Sequence, residues 1–242
     1  YKPTQICVAN GAKQNIFNVL AALVNEGDEV ILPAPYWVSY DEMVKINGGV
    51  SVFIETNIDT EFKMTAEQLE AAITPKTKAV LYSSPCNPSG SYYTREELEK
   101  IANVMAKYPD VVIISDEIYE FINYDGEHVS IAEFPQVFNQ TAVINGMSKA
   151  FAMTGWRIGY SACPQWLADA CDKLQGQVTS GANTVAQRAS IVGLETDPKD
   201  YYYMVESFEK RRNLVYELLK EVPGFKVNLP KAAFYFFPDI SY

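Results

Sequence analysis

The chain has 242 residues, 48% hydrophobic and 21% charged, enough for one large domain or two modest ones with a full core. Its formal net charge of −10 excludes a general nucleic-acid binder, which needs a basic surface. No apolar run approaches the ~18 residues of a membrane-spanning helix, and the opening YKPTQICVAN lacks the basic region and apolar core of a secretory signal.

From the N-terminus, strand-like and helical segments alternate. QICVAN (5–10) reads as a short strand and GAKQNIFNVLAALVNEGD (11–28) as a helix closed by Gly27. EVILP (29–33) is a strand, YWVSYDEMVKING (36–48) a helix ending at Gly48-Gly49, and VSVFIE (50–55) a strand. TAEQLEAAI (65–73) opens on a capping box, Thr65 with Gln68, and TREELEKIANVMAKY (94–108) on another, Thr94 with Glu97. Between and after them come the strands KAVLYSS (78–84), VVIISD (111–116), TAVIN (141–145) and RIGYSA (157–162). Several of these strands are apolar throughout instead of alternating, the mark of a sheet covered by helices on both faces. The expected fold is a three-layer α/β sandwich with a mostly parallel central sheet. No GxGxxG occurs, so a dinucleotide-binding domain is not expected.

Beyond Pro164 the pattern turns helical: 164–178, 183–195 and a long amphipathic helix over 200–222. FKVNL (225–229) and AAFYFFPDI (232–240) then read as two strands of something new. Residues 1–222 are therefore expected to form one large domain, including the long connecting helix, and 223–242 the start of a small α+β domain.

Cys7, Cys86, Cys163 and Cys171 show no C-x-x-C spacing and read as reduced thiols of a cytoplasmic protein. The single histidine, His128, lies in the turn-like YDGEHVS and reads as a surface residue, and no metal site is expected.

In α/β sheets chemistry collects at the carboxyl ends of strands. There the sequence puts Asp116 after VVIIS, with Tyr119 three residues on, and Asn87 in the turn SPCNPSG. It also puts NGAK after the first strand, where a helix start offers free N–H groups to an anion. After TAVIN comes GMSK, with Lys149 among small, weakly polar residues and Arg157 as the next positive charge. Taken singly, Arg157 is a surface arginine, Asp116 a strand-ending acid, NPSG a common turn and Trp37 a core aromatic. As a set they offer a lysine amine, a carboxylate for a ring nitrogen, neutral donors for a ring hydroxyl and an anion cup. Those are the groups that pyridoxal phosphate needs.

NGAKQ, PAPYWVSYDEMV, SPCNPSG, SDEIYE and SKAFAMTGWRIGY, in this order along the chain, resemble fold type I pyridoxal-phosphate aminotransferases of the bacterial aspartate type, over essentially the whole chain. The resemblance implies that Lys149 forms the Schiff base with pyridoxal 5′-phosphate and moves the substrate proton. By the same likeness Asp116 pairs with the pyridinium nitrogen, and Tyr119 and Asn87 bond the ring hydroxyl. Gly11, Ala12 and Lys13, with Ser148 and Arg157, would bind the phosphate, and Trp37 would stack on the ring. Trp37, Asn87 and Lys13 would also shape the substrate site, Lys13 reading the distal carboxylate of a dicarboxylic donor. The implied reaction passes the amino group of aspartate to 2-oxoglutarate in a cytoplasmic homodimer. A prephenate- or aromatic-type transaminase, a β-lyase or a non-catalytic binding domain could share these motifs. Relatives are longer at both ends and carry their α-carboxylate arginine beyond the position of Tyr242, so a fragment with little turnover is expected. Ala233 stands where relatives usually have glycine.

Overall fold

The apolar runs become strands of one seven-stranded sheet in a computed structural model that describes residues 1–126 and 128–241. In chain order they are β1 (Ile6–Ala9), β2 (Glu29–Ala34), β3 (Val50–Glu55), β4 (Thr77–Ser83), β5 (Val112–Asp116), β6 (Thr141–Gly146) and β7 (Gly159–Ala162). Across the sheet the order is β1-β7-β6-β5-β4-β2-β3. Strands β2 to β6 pair in parallel, whereas β7 runs antiparallel to both β6 and β1. This is the mostly parallel sheet expected. The helices are α1 (Ala12–Leu23), α2 (Ser39–Ile46), α3 (Ala66–Ala72), α4 (Arg95–Met105), α5 (Met147–Ala150), α6 (Gln165–Val178), α7 (Thr184–Glu195) and α8 (Tyr202–Lys220).

Alternate side chains of the apolar strands explain why the runs are continuous. Val30, Leu32, Leu81 and Ile114 enter a core with Ile16 and Leu20 of α1, Met43 of α2 and Leu167 of α6. Ile31, Val80 and Ile113 enter a core on the other face, with Leu69 of α3 and Leu98 and Ile101 of α4. Both faces are thus buried, and each fully buried Leu or Ile contributes roughly 1.5–3 kcal/mol. The capping boxes at Thr65 and Thr94 form, each threonine accepting from the N–H three residues on.

Two local expectations fail, and one short helix was not foreseen. The strand expected over 157–162 begins only at Gly159, because Arg157 takes a left-handed turn with φ +56. The four-residue α5 around Lys149 interrupts a segment that shows no helical period. The strands expected over 225–229 and 232–240 do not form. Only isolated bridges occur, Lys226 with Asp239 and Ala232 with Asn123. Two lone strands are marginal without a third partner, and residues 231–233 instead give their backbone bonds to loops of the main sheet.

Candidate active site

The antiparallel β7 is what assembles the site. β1, β4, β5 and β6 share one direction, so Ala9, Ser83, Asp116 and Gly146 end at one edge of the sheet. β7 enters at that same edge and brings Arg157 with it. Together they surround a cavity of about 200 Å³.

At one end of the cavity, α1 begins at Gly11 (φ +93) with no side chain capping it. Its first N–H groups and the positive end of its dipole are open to an anion. Two glycines make room here, Gly11 for the arginine and Gly159 for the start of α1. A Cβ on Gly11 would lie 2.2 Å from a guanidinium nitrogen of Arg157, and one on Gly159 would lie 2.1 Å from the Ala12 nitrogen. Arg157 is held by donating to the carbonyl oxygens of Thr154 at 2.9 Å and Asn10 at 3.3 Å. The Ser148 hydroxyl, on α5, lines the same region.

Deeper in the cavity lies Asp116, buried at the end of β5. One of its oxygens accepts from the Tyr40 hydroxyl at 2.6 Å and the other from the Ile118 N–H at 3.2 Å. Burial pushes its pKa up to about 6, against the pull of those two bonds. A cation placed opposite it would reverse that rise.

Lys149 lies between two rings, its Nζ 5.6 Å from the centroid of Tyr119 and 5.4 Å from that of Phe234. Burial, helped by the positive charge of Arg157, lowers its pKa, and Asp116 opposes the shift. Tyr119 and Asn87 line the cavity; burial above all holds the Tyr119 phenol well above its ordinary range. The Lys13 ammonium sits 4.7 Å above the Trp37 ring, and both line the cavity.

Nine of the ten residues singled out from the sequence therefore line one cavity: Ala12, Lys13, Trp37, Asn87, Asp116, Tyr119, Ser148, Lys149 and Arg157. Gly11, the tenth, sits behind Arg157 and supplies room instead of surface. Tyr40, Ser83, Ile118, Thr154 and Tyr235 also line it and were not foreseen. Tyr40 had a readable signal, since it follows Trp37 by three residues, roughly one helical turn. Tyr235 had none, because its approach depends on how residues 231–233 are held.

The donor set fits pyridoxal 5′-phosphate. A helix start and an arginine suit its phosphate, a buried carboxylate with no salt bridge among the described residues suits its ring nitrogen, and an amine of lowered pKa suits its aldehyde.

His128 corrects one expectation. It is largely buried, its Nε2 lying 3.0 Å from a Glu117 oxygen. Glu117, Glu120 and His128 are close enough to share an ion. The Glu117 oxygens are already engaged, however, accepting from Ser115 at 2.9 Å and Ser130 at 2.8 Å as well as meeting His128. The cluster reads as a hydrogen-bonded carboxylate behind the loop that carries Tyr119.

The whole chain, residues 1–242, matches the family model described as aminotransferase class I and II. An aspartate aminotransferase of Bacillus sp. (strain YM-2) is 49% identical, over 100% of this chain and 62% of that protein. An aspartate/prephenate aminotransferase of Cereibacter sphaeroides is 44% identical, over 100% of this chain and 61% of its own length. The crystal structure of an aspartate aminotransferase from Rhizobium meliloti superposes with a TM-score of 0.96 at 43% identity, covering 98% of this chain and 60% of that one. The chain thus spans about three fifths of the length of these relatives.

Proposed function

The chain belongs to the class I and II aminotransferase family, and from that premise we propose that its cavity holds pyridoxal 5′-phosphate and serves amino transfer from aspartate to 2-oxoglutarate. One observation carries the reading: a lysine, a buried carboxylate and an uncapped helix start beside an arginine converge on one cavity. The N–H groups of Ala12 and Lys13, the Ser148 hydroxyl and Arg157 would hold the phosphate, in room left by Gly11. Asp116 would face the ring nitrogen, Tyr119 and Asn87 the ring hydroxyl, and Trp37 the ring face. Lys149 would carry the cofactor as its Schiff base.

When bound, pyridoxal phosphate supplies an electron sink for the charge left as the substrate Cα–H bond breaks. The remaining work falls to side chains. The Lys149 amine, freed when the substrate amine takes its place and lowered in pKa, would take the proton from the substrate Cα and deliver it to the carbon that had carried the aldehyde oxygen. Asp116, ionised opposite a cation, keeps positive charge at the ring nitrogen. Tyr40, donating to Asp116 at 2.6 Å, fixes the direction of that carboxylate. Lys13 at the Trp37 face suits the distal carboxylate of a dicarboxylic donor, which favours aspartate.

Because the chain covers only part of its relatives, the activity is proposed for the whole protein. The α-carboxylate clamp is expected outside residues 1–242, and this chain alone is expected to turn over slowly. Within it, residues 1–222 are proposed as the large domain and 223–242 as the start of a smaller one. Exposed Val185, Val192 and Leu194 on α7, with Leu214 and Leu218 on α8, favour a homodimer. Among the described residues no helix is long and apolar enough to cross a membrane. All four cysteines are free, which favours the cytoplasm.

A second reading, a donor or acceptor of the prephenate type, is favoured by the name of the Cereibacter relative. Two measurements test the proposal. Pyridoxal phosphate added to the chain should give a visible absorbance band that Lys149→Ala does not form; no band in the wild type would remove the reading. In the whole protein aspartate should react faster than phenylalanine, and the reverse ranking would move the assignment away from aspartate.

A further inference from the structure

Tyr235 lines the cavity and has no part in the roles assigned above. It reaches the site because the chain before it is strapped across two loops. The N–H groups of Lys231 and Ala232 donate to the Gly90 carbonyl at 3.2 and 3.0 Å, and that of Ala233 donates to Ile122 at 2.8 Å. The Tyr124 N–H donates to the Lys231 carbonyl at 3.0 Å, and the Tyr124 hydroxyl donates to the carbonyl of Ala233. Gly90 ends the turn that presents Asn87, while Ile122 and Tyr124 lie on the segment leaving Tyr119. The strap lies so close to Gly90 that a Cβ there would be 2.6 Å from Pro230. Ala233, fully buried with φ +55, then turns the chain at the cavity. That left-handed turn gives a physical reason for glycine at this position.

Four aromatics follow in a row: Phe234, Tyr235, Phe236 and Phe237. Tyr235 alone of these lines the cavity, and it alone carries a hydroxyl. Its oxygen lies 2.5 Å from that of Tyr119, and the two rings meet edge to face at 5.6 Å and 82°. A phenylalanine would serve that packing equally well. The hydroxyl adds only the bond to Tyr119. A phenol has one proton and two lone pairs. With Tyr235 donating to it, Tyr119 keeps its own proton for an oxygen in the cavity and becomes the stronger donor.

We propose that Tyr235 is a positioning residue of the cofactor site, its hydroxyl orienting Tyr119 toward bound pyridoxal phosphate; this rests on the cofactor reading above. Through the strap, one segment sets both donors assigned to the ring hydroxyl, Tyr119 directly and Asn87 by way of Gly90.

A double-mutant cycle of Tyr119→Phe and Tyr235→Phe, read in two ways, tests it. In the first, the dissociation constant of pyridoxal phosphate is measured by absorbance titration. Tyr235→Phe should weaken binding about two- to tenfold beside an intact Tyr119, the range of one net hydrogen bond, and leave it unchanged beside Tyr119→Phe. Equal loss in both backgrounds, or none in either, overturns the proposal. In the second, urea unfolding of the cofactor-free chain should show about two- to tenfold coupling in the folding equilibrium constant. If that coupling is present but the wild type takes up no cofactor, the cofactor reading has failed and the assigned role fails with it. If uptake is normal and both cycles are additive, the Tyr235 assignment alone is wrong.

Discussion

Asp116→Asn separates the cost of the site from its use. In the cofactor-free chain the Asp116 carboxyl is raised from its ordinary 3.8 to about 6, chiefly by burial. That difference is worth about 3 kcal/mol. Below pH 4 both folded and unfolded states carry the proton, and no penalty exists. Between pH 4 and 6 the folded chain keeps a proton that the unfolded chain has lost, so stability falls as pH rises. Above pH 6 the full cost of a buried, unpaired carboxylate applies. An asparagine carries no such charge, but its NH₂ cannot accept from either the Tyr40 hydroxyl or the Ile118 N–H, a loss of about 1 kcal/mol at every pH. The variant should therefore be about 1 kcal/mol less stable than wild type at pH 4 and about 2 kcal/mol more stable at pH 7. Urea unfolding of both chains without cofactor, from pH 4 to 7.5, measures the difference directly. A difference that stays flat or shrinks with rising pH would refute the claim that Asp116 is held as a costly carboxylate awaiting a cation.

Four further outcomes follow from the same geometry. Gly159→Ala sets a Cβ 2.1 Å from the Ala12 nitrogen and 2.5 Å from the Gly11 carbonyl carbon, backbone atoms with no room to yield. It should cost about 3 kcal/mol by thermal or urea unfolding and abolish cofactor uptake. Gly155→Ala, with nothing within 4 Å of the new Cβ, should be near neutral. In the whole protein, Lys13→Ser should lower kcat/KM for aspartate at least about tenfold, the loss of one charged hydrogen bond, and change that for phenylalanine little. At pH 8 an amine-acylating reagent should modify Lys149 before Lys45 and Lys107, because burial lowers the first and hydrogen bonds to carboxylates raise the other two. Peptide mapping of a brief reaction would show it, and equal labelling of the three would contradict it.

What could be read from the sequence was local or periodic. The two capping boxes depend on residues three apart, and both form. The continuous apolar runs report burial on two faces, and alternate residues fill two cores as that requires. Asp116, Lys149 and Asn87 were legible because strand ends at one edge of a parallel sheet converge wherever the strands fall in the order. Other features depend on distant partners. Nothing near Arg157 signals that it takes φ +56 before β7 begins, a conformation allowed by the gap above Gly11. The bond from Tyr40 to Asp116 joins residues 76 positions apart, and that between Tyr119 and Tyr235 spans 116. His128 sits in a polar, turn-like stretch, yet is drawn inward by the buried Glu117. Residues 225–240 carry strand-like composition, but with no third strand beside them their backbone groups pair with loops instead.

The central claim is that Lys149 is the amine to which pyridoxal phosphate attaches. Loading the chain with the cofactor, reducing it with borohydride and mapping the digested peptides by mass tests that most directly. The account predicts one stable adduct on the peptide containing Lys149, absent from Lys149→Ala. An adduct spread over surface lysines, or fixed at Lys13 and not at Lys149, would contradict it.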